Sequence, residues 1–345
     1  MTTSSPLLFQ PDPFRWSQMP SLRDGNIPRF LFRIHTPNCY GQTSLSSVIP
    51  EACEQNGFRA TQDIFTWNRQ EAAKILNVHL RWWNYDDPAD CNLVCWTSSL
   101  LFALQYGLHR ARRRNPDGYE PSQIALLIID TRNMPKAAFV KDLEIINAFS
   151  GYSDPYVQRN LAYLQQLRLG PMGYNFGDYL SQGYLDIEGK CSQATMQDMI
   201  DSGLFQLMPE LESKDSWDQW ANSVIELRRP FNETVNVNQT KKSDVRRAIV
   251  IAERCFPGRW ALPVATMLLA LKPCLYKDRV ILDAFASMYS MEEVRRLSLR
   301  GVKIDAKRLP EVKQFGRLLN DIQCHLLGED IDLLKDPFAK LSLNG

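Results

Sequence analysis

The sequence lacks any apolar run long enough to cross a membrane. Its longest apolar stretch, residues 260–271, is too short to span a bilayer and contains Pro263. Residues 1–13 also lack the basic start and the following apolar run of a secretory signal. We therefore expect a cytoplasmic protein with no membrane partner.

The sequence also lacks a charge excess and a metal-binding pattern. The formal net charge is +1, so any attraction to a polyanion must come from a local patch. None of the eight cysteines forms a Cys-x-x-Cys pair, and the four histidines lie far apart; the closest pair of thiols is Cys91 and Cys95. We predict reduced, mostly buried cysteines, no metal site and no cofactor.

Three regions of the chain differ in pattern. Residues 1–27 are rich in serine, proline and polar groups, which predicts a flexible N-terminal arm. Residues 28–200 alternate short apolar runs with helical patterns, which predicts an α+β domain. Strand signals then fade, so residues 201–345 predict a helical C-terminal domain.

Within the α+β region the apolar spacing predicts particular elements. Strands are expected at residues 29–34, 92–96, 124–129 and, interrupted by a glycine, 179–187. Helices are expected at residues 67–83 and 98–114.

The first candidate site residues are Arg33 and His35, which end the first predicted strand. An arginine among Phe, Leu and Ile is expensive to bury unless it binds an anion or a carboxylate. Two residues apart in a strand, Arg33 and His35 point to the same face. A structural salt bridge explains the arginine alone, whereas the pair favours a substrate contact to phosphate or ribose.

Three hydroxyls, those of Thr97, Ser98 and Ser99, follow the second predicted strand. A Ser or Thr at a helix start is first of all a cap for the free amides, which explains one hydroxyl. Hydroxyls at a helix N-terminus can also bind an anion or a sugar, so Thr97 is a candidate substrate contact. An activated Ser98 or Ser99 could instead hold an acyl group as an ester.

Asp178 precedes Tyr179 in the last predicted strand, and Gln182 follows four residues after Asp178. A carboxylate that reaches a pocket shared with Arg33 could stabilise an oxocarbenium ion, accept a proton or hold a guanidinium group. Tyr179 and Gln182 are then candidate substrate contacts. A surface aspartate beside the turn at residues 175–177 is the alternative.

A second acidic cluster, Asp86, Asp87 and Asp90, precedes the second predicted strand. An exposed turn explains these residues, because aspartate favours turns. Alternatively, paired carboxylates match the fork of a guanidinium group, which would make the cluster part of a catalytic or recognition site.

The strongest local charge feature lies at the end of the helix predicted at residues 98–114. It consists of Arg110, Arg112, Arg113 and Arg114. Cations favour a helix C-terminus, so a solvated helix end is one explanation. A contact to a nucleic-acid backbone is the other.

Residues 32–34, 96–99 and 177–183 resemble the three motifs of the ADP-ribosyltransferase fold. The resemblance implies a split β core in which the first motif holds the ribose and phosphate of NAD and the second supports the pocket. Asp178 stands where those transferases have a glutamate, one methylene longer, so we expect the pocket to be kept while its chemistry changes.

Residues 63–68, 96–101, 129–131 and 179–189 also resemble a group of filamentous-fungal proteins. This group is suspected to include, or to border on, the arginine-containing cyclodipeptide synthases. The resemblance implies arginyl-tRNA and a second aminoacyl-tRNA as partners, and a diketopiperazine as product. The Asp-Asp-x-x-Glu motif of those enzymes corresponds to residues 86–90, with aspartate in the last place.

The two resemblances can be combined, because a pocket for the adenosine and ribose of NAD could equally hold the terminal adenosine of a charged tRNA. The arginine-rich helix end would then follow the acceptor stem. The leading expectation is a tRNA-dependent cyclodipeptide synthase without a stable protein partner. The alternatives are an NAD-dependent ADP-ribosyltransferase that uses Arg33, Ser98 and Asp178, and a non-catalytic binding module.

Overall fold

The computed structural model describes most of the chain, namely residues 6–23, 26–81, 87–112, 118–170, 173–214, 217, 219–232, 239–297 and 308–328. Its internal contacts divide the chain into two compact units. The first unit extends to Gln197 and includes residues 213–226, and the second comprises residues 198–212 and the chain from Leu227 onward. The sequence predicts a single boundary between residues 200 and 201. In the structure the first change of unit follows Gln197, and residues 213–226 belong to the first unit.

The described residues of the first unit form nine strands. They are β1 (Phe30–His35), β2 (Gln42–Thr43), β3 (Ser47–Ile49), β4 (Leu93–Thr97), β5 (Ala125–Asp130), β6 (Val140–Lys141), β7 (Asp178–Gln182), β8 (Leu185–Asp186) and β9 (Cys191–Thr195). All pairings are antiparallel. One sheet has the order β6-β7-β4-β1-β5-β9, and a smaller sheet has the order β2-β3-β8.

The strands predicted at residues 29–34, 92–96 and 124–129 are confirmed within one residue, and 179–187 forms β7 and β8. Gly183 separates β7 from β8 because it adopts a positive φ of 63°, a conformation that breaks a strand. The mixed α+β class is therefore confirmed.

The helices of the chain are α1 (Pro13–Ser17), α2 (Glu51–Glu54), α3 (Arg69–Leu80), α4 (Leu100–Arg112), α5 (Asp142–Phe149), α6 (Leu161–Leu169), α7 (Met196–Asp201), α8 (Leu204–Leu207), α9 (Trp220–Arg228), α10 (Lys242–Cys255), α11 (Ala261–Leu269), α12 (Arg279–Met288), α13 (Met291–Leu297) and α14 (Pro310–Leu327). Helices α3 and α4 correspond to those predicted at residues 67–83 and 98–114. Over the ranges described, no helix is long and apolar enough to cross a membrane.

Strand alternation gives the larger sheet two apolar faces. On one face Leu93 and Leu180 pack in a cluster with apolar residues of α3, α5 and α6. On the other face Trp96 and Tyr179 pack with residues of β3 and β8. Helices and the smaller sheet thus cover opposite sides of β4 and β7.

The N-terminal segment differs from the predicted flexible arm. Phe9, Met19 and Leu22 are buried in the cluster that contains α3 and α5. The Ser21 amide donates to Glu144 Oε2 at 3.1 Å, and the Phe9 amide donates to the Ala137 carbonyl at 3.0 Å. Composition suggested flexibility because few apolar residues lie among many polar ones, but those few anchor the segment.

The larger sheet opens between β1 and β4. These two strands share a single residue pair, Phe32 with Thr97, whereas β1 shares six pairs with β5 and β4 shares five with β7. Beyond the Phe32–Thr97 pair, the rest of β1 runs beside β4 without strand pairing. A side chain crosses this gap, since Arg33 Nη1 donates to the Cys95 carbonyl at 3.2 Å.

The second unit is helical and contains a buried ion pair. Arg228 Nη2 donates to Glu311 Oε1 at 2.7 Å and Nε donates to Oε2 at 3.1 Å, with both side chains almost inaccessible to solvent. The bidentate geometry satisfies both charges in a site that water does not reach.

We predict that Arg228→Leu lowers the free energy of unfolding by about 3–5 kcal/mol, because it leaves the Glu311 charge buried and uncompensated. The double variant Arg228→Leu with Glu311→Leu should recover most of this loss. Urea unfolding of the original chain, the two single variants and the double variant measures both effects. Equal losses of stability in Arg228→Leu and the double variant would contradict the prediction.

Candidate functional site

A cavity of about 500 Å³ lies in the first unit at the opening between β1 and β4. Arg33 lines it from β1, Cys95 and Thr97 from β4, and Asp178 from β7. Residues of α4, together with Trp220, line it further. Arg33, Thr97 and Asp178 belong to three predicted motifs, and the fold brings all three to one cavity.

Arg33 offers its positive charge to this cavity. Its Nε donates to Thr43 Oγ1 at 3.1 Å, and its Nη1 donates to the Cys95 carbonyl. Both acceptors are neutral, and among the residues that the structure describes no carboxylate forms an ion pair with this guanidinium. These hydrogen bonds, rather than a salt bridge, hold the Arg33 side chain. An anion that enters the cavity would meet a guanidinium group already in position.

Arg110 also lines the cavity. Its Nη2 donates to Thr36 Oγ1 at 3.3 Å, and its guanidinium carbon lies 5.1 Å from the centre of the Tyr119 ring. Arg112 belongs to α4; Arg113 and Arg114 lie outside the described residues. Of the four arginines predicted to contact tRNA, Arg110 is thus assigned to the cavity.

Aromatic side chains form another part of the cavity lining. Phe102 and Tyr106, one turn apart on α4, stack at 6.0 Å between ring centroids. The Trp220 ring lies edge-on to both, at 5.6 and 5.9 Å, and His109 lies 6.1 Å from it. Flat apolar surfaces of this kind bind other flat rings.

The three hydroxyls after β4 all bind the protein itself. Thr97 Oγ1 donates to the Phe176 carbonyl at 2.6 Å and accepts from the Ser99 amide. Ser98 Oγ donates to the Gly177 carbonyl at 3.3 Å. Ser99 Oγ accepts from the Phe102 amide at 3.1 Å and so caps α4. All three residues are buried, and the geometry corresponds to capping and turn binding rather than to a poised nucleophile.

Asp178 is paired with an arginine that the sequence analysis missed. Its Oδ2 lies 2.6 Å from Arg168 Nη2, and both side chains are buried. Arg168 also donates to the Tyr174 carbonyl at 2.9 Å and lies 3.5 Å from Asp142. Asp178 therefore does hold a guanidinium, but that guanidinium belongs to the protein. Arg168 gave no signal in the sequence because it resembles any polar helix position.

Asp142 is the more strongly perturbed carboxyl of this cluster. Burial raises its pKa to about 7, Arg168 opposes the shift, and the nearby Asp178 charge adds to it. The first residue of α5 is thus a carboxyl group that holds its proton near neutral pH.

Tyr179 and Gln182, predicted as substrate contacts, lie in the protein interior instead. Tyr179 packs in the apolar cluster on the face opposite Asp178. Gln182 Nε2 donates to Asp63 Oδ1 at 2.8 Å, and its Oε1 accepts from the Ile64 amide at 3.1 Å. The hydrogen-bond partners of the Gln182 side chain lie more than a hundred positions away in the sequence. No local pattern therefore predicts its structural role.

His35 is likewise engaged away from the cavity lining. Its Nε2 lies 2.9 Å from Gln193 Oε1 on β9. Burial lowers the pKa of His35, and the neighbouring Arg33 charge lowers it further, against the effect of the Gln193 bond. The pair of cations expected on one strand face is therefore one cation and one largely neutral imidazole.

The predicted acidic cluster is only partly described. Asp87 and Asp90 are exposed before β4, and Asp87 Oδ1 accepts from the Ala89 amide at 2.9 Å, as in a turn. Asp86 lies outside the described residues. Glu51 is an acidic residue that lines the cavity, where its carboxylate accepts from the Gly41 amide at 2.6 Å.

A histidine between two thiols is the feature that the sequence analysis missed most clearly. His79 Nε2 lies 3.0 Å from Cys95 Sγ, and its Nδ1 lies 3.4 Å from Cys91 Sγ. Burial lowers the pKa of His79 to about 3, with a further contribution from Arg33. All three residues line the cavity. The sequence shows that Cys91 and Cys95 lie close together along the chain. It does not show that both thiols contact the same histidine on α3.

The structure places none of the eight cysteines in a disulfide. Three are buried and five are half-buried, so the prediction of mostly buried thiols is wrong. The part of the chain for which side chains are described contains no cluster of three or more histidine, cysteine or acidic residues that could hold a metal ion. Cys91 and Cys95 bind opposite nitrogens of one imidazole, which is not a chelating arrangement.

Comparison with known proteins finds one family model that matches part of this unit. Residues 26–181 match a domain of unknown function, DUF7587. The match begins before β1 and ends inside β7, so it includes Arg33, the thiols of Cys91 and Cys95, and Asp178. No curated protein and no solved structure matches the chain.

We predict that Asp142→Asn changes the pH dependence of stability. With a pKa near 7 in the folded protein and an ordinary value when unfolded, Asp142 binds its proton more tightly in the folded state. Its contribution to stability is therefore fully present at low pH and is lost as the pH rises towards 7. The stability of Asp142→Asn relative to the original chain should increase from pH 5 to pH 8.

Urea unfolding at the two pH values measures this difference. Asp186→Asn is the matched control, because Asp186 is exposed and the Glu188 amide and Lys190 lower its pKa. That control should gain no stability relative to the original chain at pH 8. Parallel pH profiles for Asp142→Asn and the original chain would contradict the assignment.

Proposed function

We propose that the cavity binds the nucleotide end of an aminoacyl-tRNA. The observation that carries this proposal is the combination of uncancelled cationic groups and stacked aromatic rings at one opening of the sheet. Arg33 and Arg110 supply charge for a phosphate, and the half-buried rings of Tyr106 and Trp220 supply flat surfaces for a base. Few small ligands need both, whereas every nucleotide does.

We further propose that the chain is a cyclodipeptide synthase that makes an arginine-containing diketopiperazine. Support comes from the resemblance of residues 63–68, 96–101, 129–131 and 179–189 to that group, and from the cavity chemistry. Amide formation between two aminoacyl groups requires no cofactor, because each ester to the tRNA ribose is already activated. It requires that the α-amino group of one residue reach the carbonyl carbon of the other.

Acidic groups for the arginyl side chain are available at the cavity and beside it. Glu51 lines the cavity, and the turn of Asp87 and Asp90 leads directly into Cys91, which lines it as well. A carboxylate at either place would match a guanidinium fork. Asp178 is less suited to this role because Arg168 already occupies it.

ADP-ribosyl transfer is the second candidate, favoured by one specific observation. Arg33, Thr97 and Asp178, one residue from each motif that resembles the transferase fold, line the same cavity. The ion pair between Asp178 and Arg168 weighs against this candidate, because a carboxylate that is already neutralised stabilises an oxocarbenium ion poorly.

Expression of the chain in a tractable host should produce an arginine-containing diketopiperazine, detected by its mass. Arg33→Gln should lower the yield at least about tenfold, because a hydrogen bond to a charged group contributes about 1.5–3 kcal/mol. Arg23→Gln is the matched control, since Arg23 donates to the Ser17 carbonyl at an exposed position. Soluble protein with both charged tRNAs present and no product would refute the proposal.

Purified protein with NAD distinguishes the second candidate. If the chain transfers ADP-ribose, nicotinamide should be released, and Asp178→Asn should abolish the release while thermal unfolding shows the variant to be folded. Retained binding of charged tRNA with neither product nor nicotinamide would indicate the non-catalytic binding module.

A further inference from the structure

We propose that Cys95 is a nucleophile that accepts the aminoacyl group as a thioester, with His79 as its base and Cys91 as the group that orients the imidazole. The inference rests on the proposed function for the identity of the acyl group. The reactive thiol itself follows from the geometry. It assigns the acyl-carrier role to Cys95 rather than to Ser98 or Ser99.

Distances and placement support this assignment. Cys95 Sγ lies 3.0 Å from His79 Nε2, within reach for proton transfer. Cys95 is half-buried on β4 and lines the cavity, so a ligand can approach its sulfur. The serine hydroxyls, in contrast, bind backbone groups.

Cys91 fixes the proton on the imidazole. A neutral histidine carries one proton, and the partner of one nitrogen decides which nitrogen carries it. When Nδ1 is protonated and donates to Cys91 Sγ at 3.4 Å, Nε2 presents its lone pair to Cys95. This is the arrangement of a nucleophile, a base and an orienting third group.

Two guanidinium groups lie near Cys95. Arg33 Nη1 donates to the carbonyl of Cys95 at 3.2 Å, which holds a guanidinium at this residue. Arg168 also interacts attractively with the Cys95 thiolate, although it is shared with Asp142 and Asp178. Positive charge beside a thiol stabilises the charged form, which is the nucleophile.

The reaction step balances without a further reagent. Cys95 transfers its proton to His79 Nε2, and the sulfur attacks the carbonyl carbon of the aminoacyl ester. The C–S bond forms and the C–O bond to the tRNA ribose breaks, with the proton passing from His79 to the leaving ribose oxygen. The α-amino group of the second aminoacyl-tRNA then attacks the thioester, forms the amide and releases the thiol. Attack of the first residue's amine on the remaining ester closes the ring and releases the second tRNA.

Two measurements test the inference. In the first, the folded protein is treated with iodoacetamide at neutral pH, and the modified cysteines are located by mass spectrometry. Cys95 should react faster than Cys39, a half-buried thiol that lines the same cavity but bonds to Thr36. His79→Gln should slow the alkylation of Cys95 by about tenfold or more and leave Cys39 unchanged.

In the second measurement, the protein is mixed with arginyl-tRNA or another aminoacyl-tRNA that carries a radiolabelled amino acid, and the reaction is quenched with acid. The label should remain on Cys95 and be released by hydroxylamine, as expected for a thioester. Cys95→Ala should abolish labelling and product. The matched control Cys191→Ala should retain both, because Cys191 is a half-buried thiol outside the cavity lining. Urea unfolding verifies that each variant is folded.

Equal alkylation of Cys95 and Cys39, or no effect of His79→Gln, would overturn the reactive pair. Product without label on Cys95 would overturn the thioester but leave the proposed function standing. Neither label nor product from the original chain would overturn both the thioester and the proposed function.

Discussion

The cavity depends on one residue pair, Phe32 with Thr97, at which β1 and β4 join. Thr97 is the last residue of β4. Its hydroxyl accepts a hydrogen bond from the Ser99 amide at the start of α4 and donates one to the Phe176 carbonyl before β7. The residue that joins the two strands therefore also fixes the start of α4 and the turn before β7. Because pairing stops there, the remaining residues of β1 and β4 face an opening rather than each other. Arg33 spans that opening through a side-chain bond, which leaves it both structural and accessible to a ligand.

Charge is distributed unevenly around this opening. Arg168 lies between two buried acidic residues beside the opening, and it forms a close ion pair with Asp178, whereas Asp142 has a raised pKa. Arg33, in contrast, is held by neutral oxygens. A half-buried charge held in this way can be compensated by an anionic ligand that enters the cavity. The aromatic groups on α4 narrow the choice to an anion that also carries a flat ring.

Patterns in the sequence predict strands and the faces of their side chains, but they do not predict which distant residues those side chains contact. Strand periodicity predicted that Arg33 and Asp178 would face a common site, because each lies on an apolar strand whose neighbours define its faces. Gln182 was misassigned because its partner Asp63 follows from the fold and from no pattern within β7. The role of His79 is unpredictable for the same reason, since a lone histidine on an amphipathic helix gives no sign that it contacts two thiols in and before a later strand.

The environment of His79 links ligand binding to the chemistry of Cys95. Burial and the Arg33 charge both lower the pKa of His79, so in the empty cavity the pair is a thiol beside a neutral imidazole rather than an ion pair. A phosphate bound at Arg33 would offset part of that positive charge. The imidazole would then accept a proton more readily, while Arg168 would still favour the thiolate. The same guanidinium that attracts the nucleotide thus lowers the basicity of the imidazole, so nucleotide binding would speed the proton transfer that already makes Cys95 reactive in the empty cavity.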